Sequence, residues 1–165
     1  MLKQMLSSWA WYLGVSVWIA LDQWTKWLAD TQLIYGRPQE VLFFFDLTLL
    51  YNRGAAFSFL SDAGGWQRWV FSILSAVVSV CLILWLPKQK SLWSKIAFAM
   101  ILSGAIGNLI DRVRLGYVID FIHMHWQESY FPAFNLADSA ISVGVCFLLI
   151  DWYLVKREEK KNARS

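Results

Sequence analysis

The stretch 66-WQRWVFSILSAVVSVCLILWL-86 holds a single charged residue, Arg68, near its start. From Val70 to Leu86 it offers almost no polar stripe. A helix on the surface of a soluble bundle needs one face for water, so this segment reads as crossing lipid. About 20 residues at about 1.5 Å rise each match a hydrocarbon core about 30 Å thick. Three other runs share the pattern, at about Trp9–Leu28, Leu92–Arg112 and Leu136–Val155, the last containing the apolar Ile141–Ile150. The chain is 58% hydrophobic and 16% charged, whereas a soluble domain carries about a quarter charged residues. The expectation is one integral membrane domain over residues 1–165. It is an all-α membrane protein of four transmembrane helices, with a small β element and a short helix or loop on its outer face.

The first run is too long for the core of a secretory signal, contains Asp22 and Lys26, and precedes no small-x-small cleavage site. It is expected to stay in the mature protein. Lys88, Lys90 and Lys95 lie between runs two and three, and Lys156, Arg157, Lys160, Lys161 and Arg164 follow run four. Lys3 precedes run one, so Lys26 is the only lysine elsewhere. Positive residues beside short loops stay cytoplasmic, which puts both termini and the middle loop inside. The loops at about Ala29–Gly65 and Val113–Asn135 are then outside. The net charge of +3 therefore reports topology and contact with anionic lipid, not nucleic acid. Cys81 and Cys146 each fall inside a span, far from any CxxC. They read as small packing residues and not as a disulfide framework.

The first outer loop contains Glu40-Val-Leu-Phe-Phe-Phe-Asp-Leu-Thr-Leu-Leu-Tyr51, between Gly36-Arg-Pro38 and Asn52-Arg-Gly54. Aromatic and aliphatic residues bounded by turn formers predict a small β element on the outer membrane surface. In the second, Gly116–Trp126 suits either an extended segment or an interfacial helix. Trp126, Tyr130 and Phe131 suit the headgroup zone. Asn135 stands where a helix cap is needed at the entry to run four.

Polar groups collect at the outer ends of the spans. Asp22 and Lys26 are four apart and share a helix face. Asn108, Asp111 and Arg112 close run three, Asn135 and Asp138 open run four, and run two adds only Gln67 and Arg68. Taken singly, each has a plain explanation. Asp22–Lys26 reads as an interfacial ion pair, Asp111–Arg112 as a helix end snorkelling outward, and Asp138 as an acid favoured by a helix dipole. Asp120 resists such an account, because Val118, Ile119, Phe121 and Ile122 surround it. Ionisable groups beside a bilayer are costly and point to function, so Asp120 and Asp138 are read as a proton-sharing pair. His123 and His125 lack a third ligand at metal-binding spacing, and Ser139 lacks the Gly-x-Ser-x-Gly frame. No metal or cofactor is implied.

Asn52-Arg-Gly-Ala-Ala-Phe-Ser58, Gly104-Ala-Ile-Gly-Asn-Leu-Ile-Asp-Arg112, Val118-Ile-Asp-Phe121 and Phe134-Asn-Leu-Ala-Asp-Ser139 occur in that order. In register with the four spans, and with Asp22 and Lys26 ahead of them, they resemble the motifs of bacterial lipoprotein signal peptidase (signal peptidase II). The resemblance implies an aspartic endopeptidase of the bacterial inner membrane with its active site at the periplasmic face. It implies a prolipoprotein substrate, already carrying a diacylglyceryl group on its lipobox cysteine and cleaved just before that cysteine. Asp120 and Asp138 would be catalytic. Asn52, Gly54, Asn108, Arg112 and Asn135 would line the site, and Asp22 and Lys26 would brace it. Globomycin-type cyclic peptides would compete for the same groove.

Two carboxylates about 4 Å apart repel by about 4 kcal/mol at an effective dielectric near 20. That is enough to keep one proton on the pair near neutral pH. A small transporter would need its charges near mid-bilayer, whereas these gather at one face. A non-catalytic assembly subunit would be indifferent to loss of either aspartate.

Overall fold

The computed structural model describes residues 2–54 and 65–163. Ala55 to Ser58 of the first motif, and Arg164, lie outside the described residues. Helix α1 spans Leu2–Gln32, followed by β1 (Gln39–Leu42) and β2 (Phe45–Asn52). Helix α2 (Trp66–Trp85) runs into a 3-10 turn at Leu86–Lys88, and α3 covers Leu92–Arg114. Strands β3 (Val118–Trp126) and β4 (Ser129–Tyr130) precede α4 (Leu136–Asn162).

Local chemistry sets the ends. Pro87 has no N–H with which to continue α2, and the Ser91 side chain caps α3 by accepting from the Trp93 N–H at 3.2 Å. Helix α4 outruns its apolar stretch because Lys156-Arg-Glu-Glu-Lys-Lys161 are all strong helix formers. Helices α2 (with its 3-10 turn), α3 and α4 are long and apolar enough to cross a membrane. Helix α1, 31 residues long, is not one of these three. Five tryptophans (Trp9, Trp11, Trp18, Trp24 and Trp27) and its polar residues dilute its aliphatic character.

Large apolar side chains point outward, among them Ile73, Val77 and Val80 on α2 and Val145, Leu149 and Trp152 on α4. Water would not tolerate so continuous a surface. Cys146 is exposed on that face and is not a packing residue; Cys81 is half-buried. Helix α3 is central, touching α1, α2 and α4. Lipid tails are as apolar as leucine, so helices associate through close packing of small residues. Ala97, Ala137 and Ala140 are fully buried. A Cβ on Gly104 would overlap the Ala137 carbonyl, so glycine is what lets α3 and α4 touch there.

The β element is a four-stranded antiparallel sheet in the order β1-β2-β3-β4. The first loop gives the hairpin β1–β2, and the second gives a strand, not an interfacial helix. Strand β3 pairs with β2, putting Leu50 opposite Asp120 and Asn52 opposite Val118. The fold is therefore mostly helical with a true sheet, and "all-α" understates it. Ala29, Leu49, Ile119 and Phe121 form a buried cluster that seats the sheet on the end of α1. Asp120 enters the helix ends from this sheet.

Candidate active site

Asn135 is the N-cap of α4. Its Oδ1 accepts the Asp138 N–H at 2.9 Å, and Asp138 Oδ2 accepts the Asn135 N–H at 3.3 Å, closing a capping box. The same buried amide reaches the other way. Asn135 Nδ2 donates to Asp120 Oδ1 at 2.7 Å and to the Ile119 carbonyl at 3.2 Å. One side chain thus holds both acids.

Asn52 Nδ2 donates to Asp120 Oδ2 at 3.0 Å, and Asn108 Nδ2 to Asp138 Oδ1 at 2.8 Å. All four carboxyl oxygens accept N–H bonds. Asp120 is only 2% exposed. Burial first, and the charge of Asp138 second, push its carboxyl from 3.8 up to about 7, against the pull of Asn52 and Asn135. Repulsion within the pair was the expected cause; loss of water comes ahead of it.

A buried ionic group lies beneath. Lys26 Nζ is 2.9 Å from Asp22 Oδ2, 2.9 Å from Asp111 Oδ2, and donates to Asn108 Oδ1 at 3.0 Å. Its three protons therefore have three acceptors. Asp22 Oδ1 accepts the Ala137 N–H at 2.9 Å, one of the unpaired donors at the start of α4. A Cβ on Gly107 would strike the Asp22 carboxylate, so the second glycine of Gly104-x-x-Gly107 makes room for it. Asp22–Lys26 is no exposed interfacial pair: both residues are buried.

Asp111 does not snorkel. It is 3% exposed and accepts from the Ile119 N–H at 3.2 Å and from Gln23 Nε2 at 2.9 Å. Its part in the site, and that of Gln23, escaped the sequence reading. Helical spacing carried the signal: Asp111 is three residues from Asn108, and Gln23 three from Lys26.

Arg112 turns toward the space between helices. It donates to the Gly54 carbonyl at 3.3 Å and lies over the Phe71 ring at 5.5 Å. Gly54 is held in turn, its N–H donating to Asn52 Oδ1 at 2.9 Å. Arg112, Phe71 and Asn52 border a cavity of about 730 Å³ between α2, α3 and α4. Asn52, Asn108, Arg112 and Asp138 form its polar end, while Leu74, Val78, Ile101, Ala105 and Ile141 line the apolar remainder. Asp120 does not line it, but Asn52, its donor, does.

His123 and His125 stand apart, their rings against Tyr130 at 4.9 and 5.1 Å, with His125 Nε2 3.4 Å from Asp46 Oδ2. Among the described residues no group of three or more His, Cys, Asp or Glu is arranged around a metal. The Ser139 hydroxyl donates to the Asn135 carbonyl at 2.9 Å, a bond back onto its own helix. The arrangement is suited to acid–base chemistry at the head of an apolar groove.

Residues 15–154 match the family model described as signal peptidase (SPase) II. A lipoprotein signal peptidase of Acinetobacter baumannii is 54% identical over 155 residues, covering 92% of this chain and 88% of that one. One from Pseudomonas putida is 47% identical over 156 residues, covering 92% and 90%. A solved bacterial membrane enzyme structure, obtained by the in meso method at 2.3 Å resolution, superposes with a TM-score of 0.80 at 32% identity. That superposition covers 92% of this chain and 91% of the other. With a family match spanning most of its length and relatives sharing about half their residues with it, the chain belongs to the signal peptidase II family of membrane peptidases.

Proposed function

We propose that the chain is an intramembrane aspartic endopeptidase that removes the signal peptide from prolipoproteins. Its substrate carries a diacylglyceryl group on the lipobox cysteine, and cleavage falls just before that residue. The relatives' description as lipoprotein signal peptidases supports the substrate class. One observation carries the chemistry. The Asn135 side chain donates to Asp120 while accepting from the Asp138 backbone, holding two carboxyls from a strand and a helix together.

Asp138 lies in the first turn of α4, where the helix dipole favours a negative group, and both its oxygens accept N–H bonds. It serves as the base and takes a proton from water as the oxygen attacks the scissile carbonyl. Asp120, its carboxyl pushed up to about 7, supplies a proton to the carbonyl oxygen. As the tetrahedral intermediate collapses, Asp138 gives its proton to the leaving amine and Asp120 regains one from the diol. No covalent enzyme intermediate forms.

The diacylglyceryl chains lie in the apolar part of the groove, which sets the cysteine at the depth of the acids. Asn52, Gly54, Asn108, Arg112 and Asn135 contact the substrate, and Asp22 and Lys26 brace them. Globomycin-type cyclic peptides occupy the same groove. Helix α1 crosses the membrane with the other three: it packs on α3, and its exposed Trp24 and Trp27 suit the interface at the sheet end. Both termini and the α2–α3 turn are cytoplasmic. The sheet and the acids face the periplasm of a bacterial inner membrane, and residues 1–165 act as one domain.

Purified protein in a bilayer, given a lipidated precursor, tests this directly. Asp120→Asn and Asp138→Asn are each expected to remain folded and membrane-inserted while losing cleavage. Full turnover by either variant rules the dyad out. Equal rates on lipidated and unlipidated precursor rule out anchoring by the acyl chains.

A further inference from the structure

Arg68, near the start of α2, has no place in the chemistry above. Its guanidinium nevertheless grips the end of α3 with one edge: Nε donates to the Arg112 carbonyl and Nη2 to the Val113 carbonyl, both at 2.8 Å. The last carbonyls of a helix lack intrahelical partners. Those of Asp111 and Arg112 accept from the N–H groups of Leu115 and Gly116, at 2.7 and 3.2 Å. Arg68 supplies the Val113 carbonyl.

The grip includes the turn that follows. Gly116 has φ +87°, a conformation that side chains disfavour, and a Cβ there would lie 3.3 Å from Arg68 Nη1. Strand β3 starts two residues later and delivers Asp120. Arg112, whose carbonyl Arg68 holds, extends its own guanidinium over Phe71. Arg68 and Phe71 are three apart and share a face of α2. Helix α2 therefore fixes Arg112 at two points, main chain and side chain.

We propose that Arg68 is a positioning residue, clamping the α3–β3 corner so that Arg112 and Asp120 keep their places. This rests on the dyad reading. Charge alone would not do the work: a lysine keeps a cation at the helix end but lacks the planar two-donor edge.

The test compares wild type, Arg68→Ala, Arg68→Lys and Asp120→Asn on the lipidated precursor, reading kcat, KM, the pH–rate profile and thermal stability. Arg68→Ala is expected to lower kcat/KM by about ten- to a hundredfold, as small misplacements of reacting groups do. A loosened corner admits water to Asp120, and the alkaline limb moves toward lower pH by about one unit. Asp138, Lys26, Asn52 and Asn135 still surround that carboxyl. Arg68→Lys is expected to follow the alanine variant, and it decides the matter if the alanine variant does not fold. Wild-type rate and an unmoved limb in Arg68→Lys overturn the clamp. If Asp120→Asn cleaves normally, the dyad itself has failed, a result separate from either Arg68 outcome.

Discussion

Asp22 Oδ1 accepts the Ala137 N–H at 2.9 Å across 115 residues of sequence, so α1 caps the first turn of α4. The other oxygen of the same carboxylate balances Lys26. Asp22→Ala takes one of two carboxylates from the buried Lys26 ammonium, which keeps Asp111, and leaves an orphan helix donor, and is expected to cost about 1–3 kcal/mol. Asp22→Asn keeps an acceptor for Ala137 and should lose less. Denaturant unfolding in detergent measures both, and wild-type stability in the alanine variant would contradict the cap.

If Asp120 is the proposed proton donor, activity on the lipidated precursor should fall about tenfold per pH unit above about 7, as its carboxyl ionises. The apparent value belongs to the coupled pair.

Stability carries the same signature with a definite sign. The folded carboxyl of Asp120 titrates at about 7 and the free one at 3.8. Between those values the folded state binds more protons, so its contribution is complete below 3.8 and is lost as pH rises through about 7. The melting temperature of wild type should decline over that window relative to Asp120→Asn, which lacks the titrating group. Parallel curves would refute the raised value.

Asn135 separates capping from chemistry. Asn135→Ser keeps a cap oxygen but reaches neither Asp120 nor the Ile119 carbonyl, so it should lose about 1–3 kcal/mol for those buried acceptors and nothing for the cap. Cleavage should fall about a hundredfold, the usual effect of removing a preorganised donor. Asn135→Ala should lose about 1 kcal/mol in addition. Active Asn135→Ser would show that the bridge is dispensable.

Ala105 lines the apolar part of the cavity. Ala105→Phe should raise KM for the lipidated precursor about tenfold or more by occupying that space, while leaving the alkaline limb where it is. An unchanged KM would place the acyl chains elsewhere.

Much of this was legible before any coordinates. The membrane class followed from segments such as Val70–Leu86, and the spacing of Asp22 from Lys26 foretold their pairing. Asp111 was not legible as a buried acid, since Arg112 beside it suggested an exposed helix end. Its partners, Lys26 and the Ile119 N–H, arrive from other elements. The ladder from Asn52 to Val118 was equally hidden, because strand register depends on what each face meets. Likewise, Lys156–Lys161 have no apolar pattern to announce that α4 continues through them.

Asp120 rides on the sheet and Asp138 on a helix, so neither element alone sets the gap between them. Asn135, 15 residues past the first acid and three before the second, works as a caliper. Any force that tilts the strands against the bundle must therefore alter the jaw of that gauge. On this view the turnover rate becomes a readout of mechanical load, and bilayers of different thickness should give different speeds from one sequence.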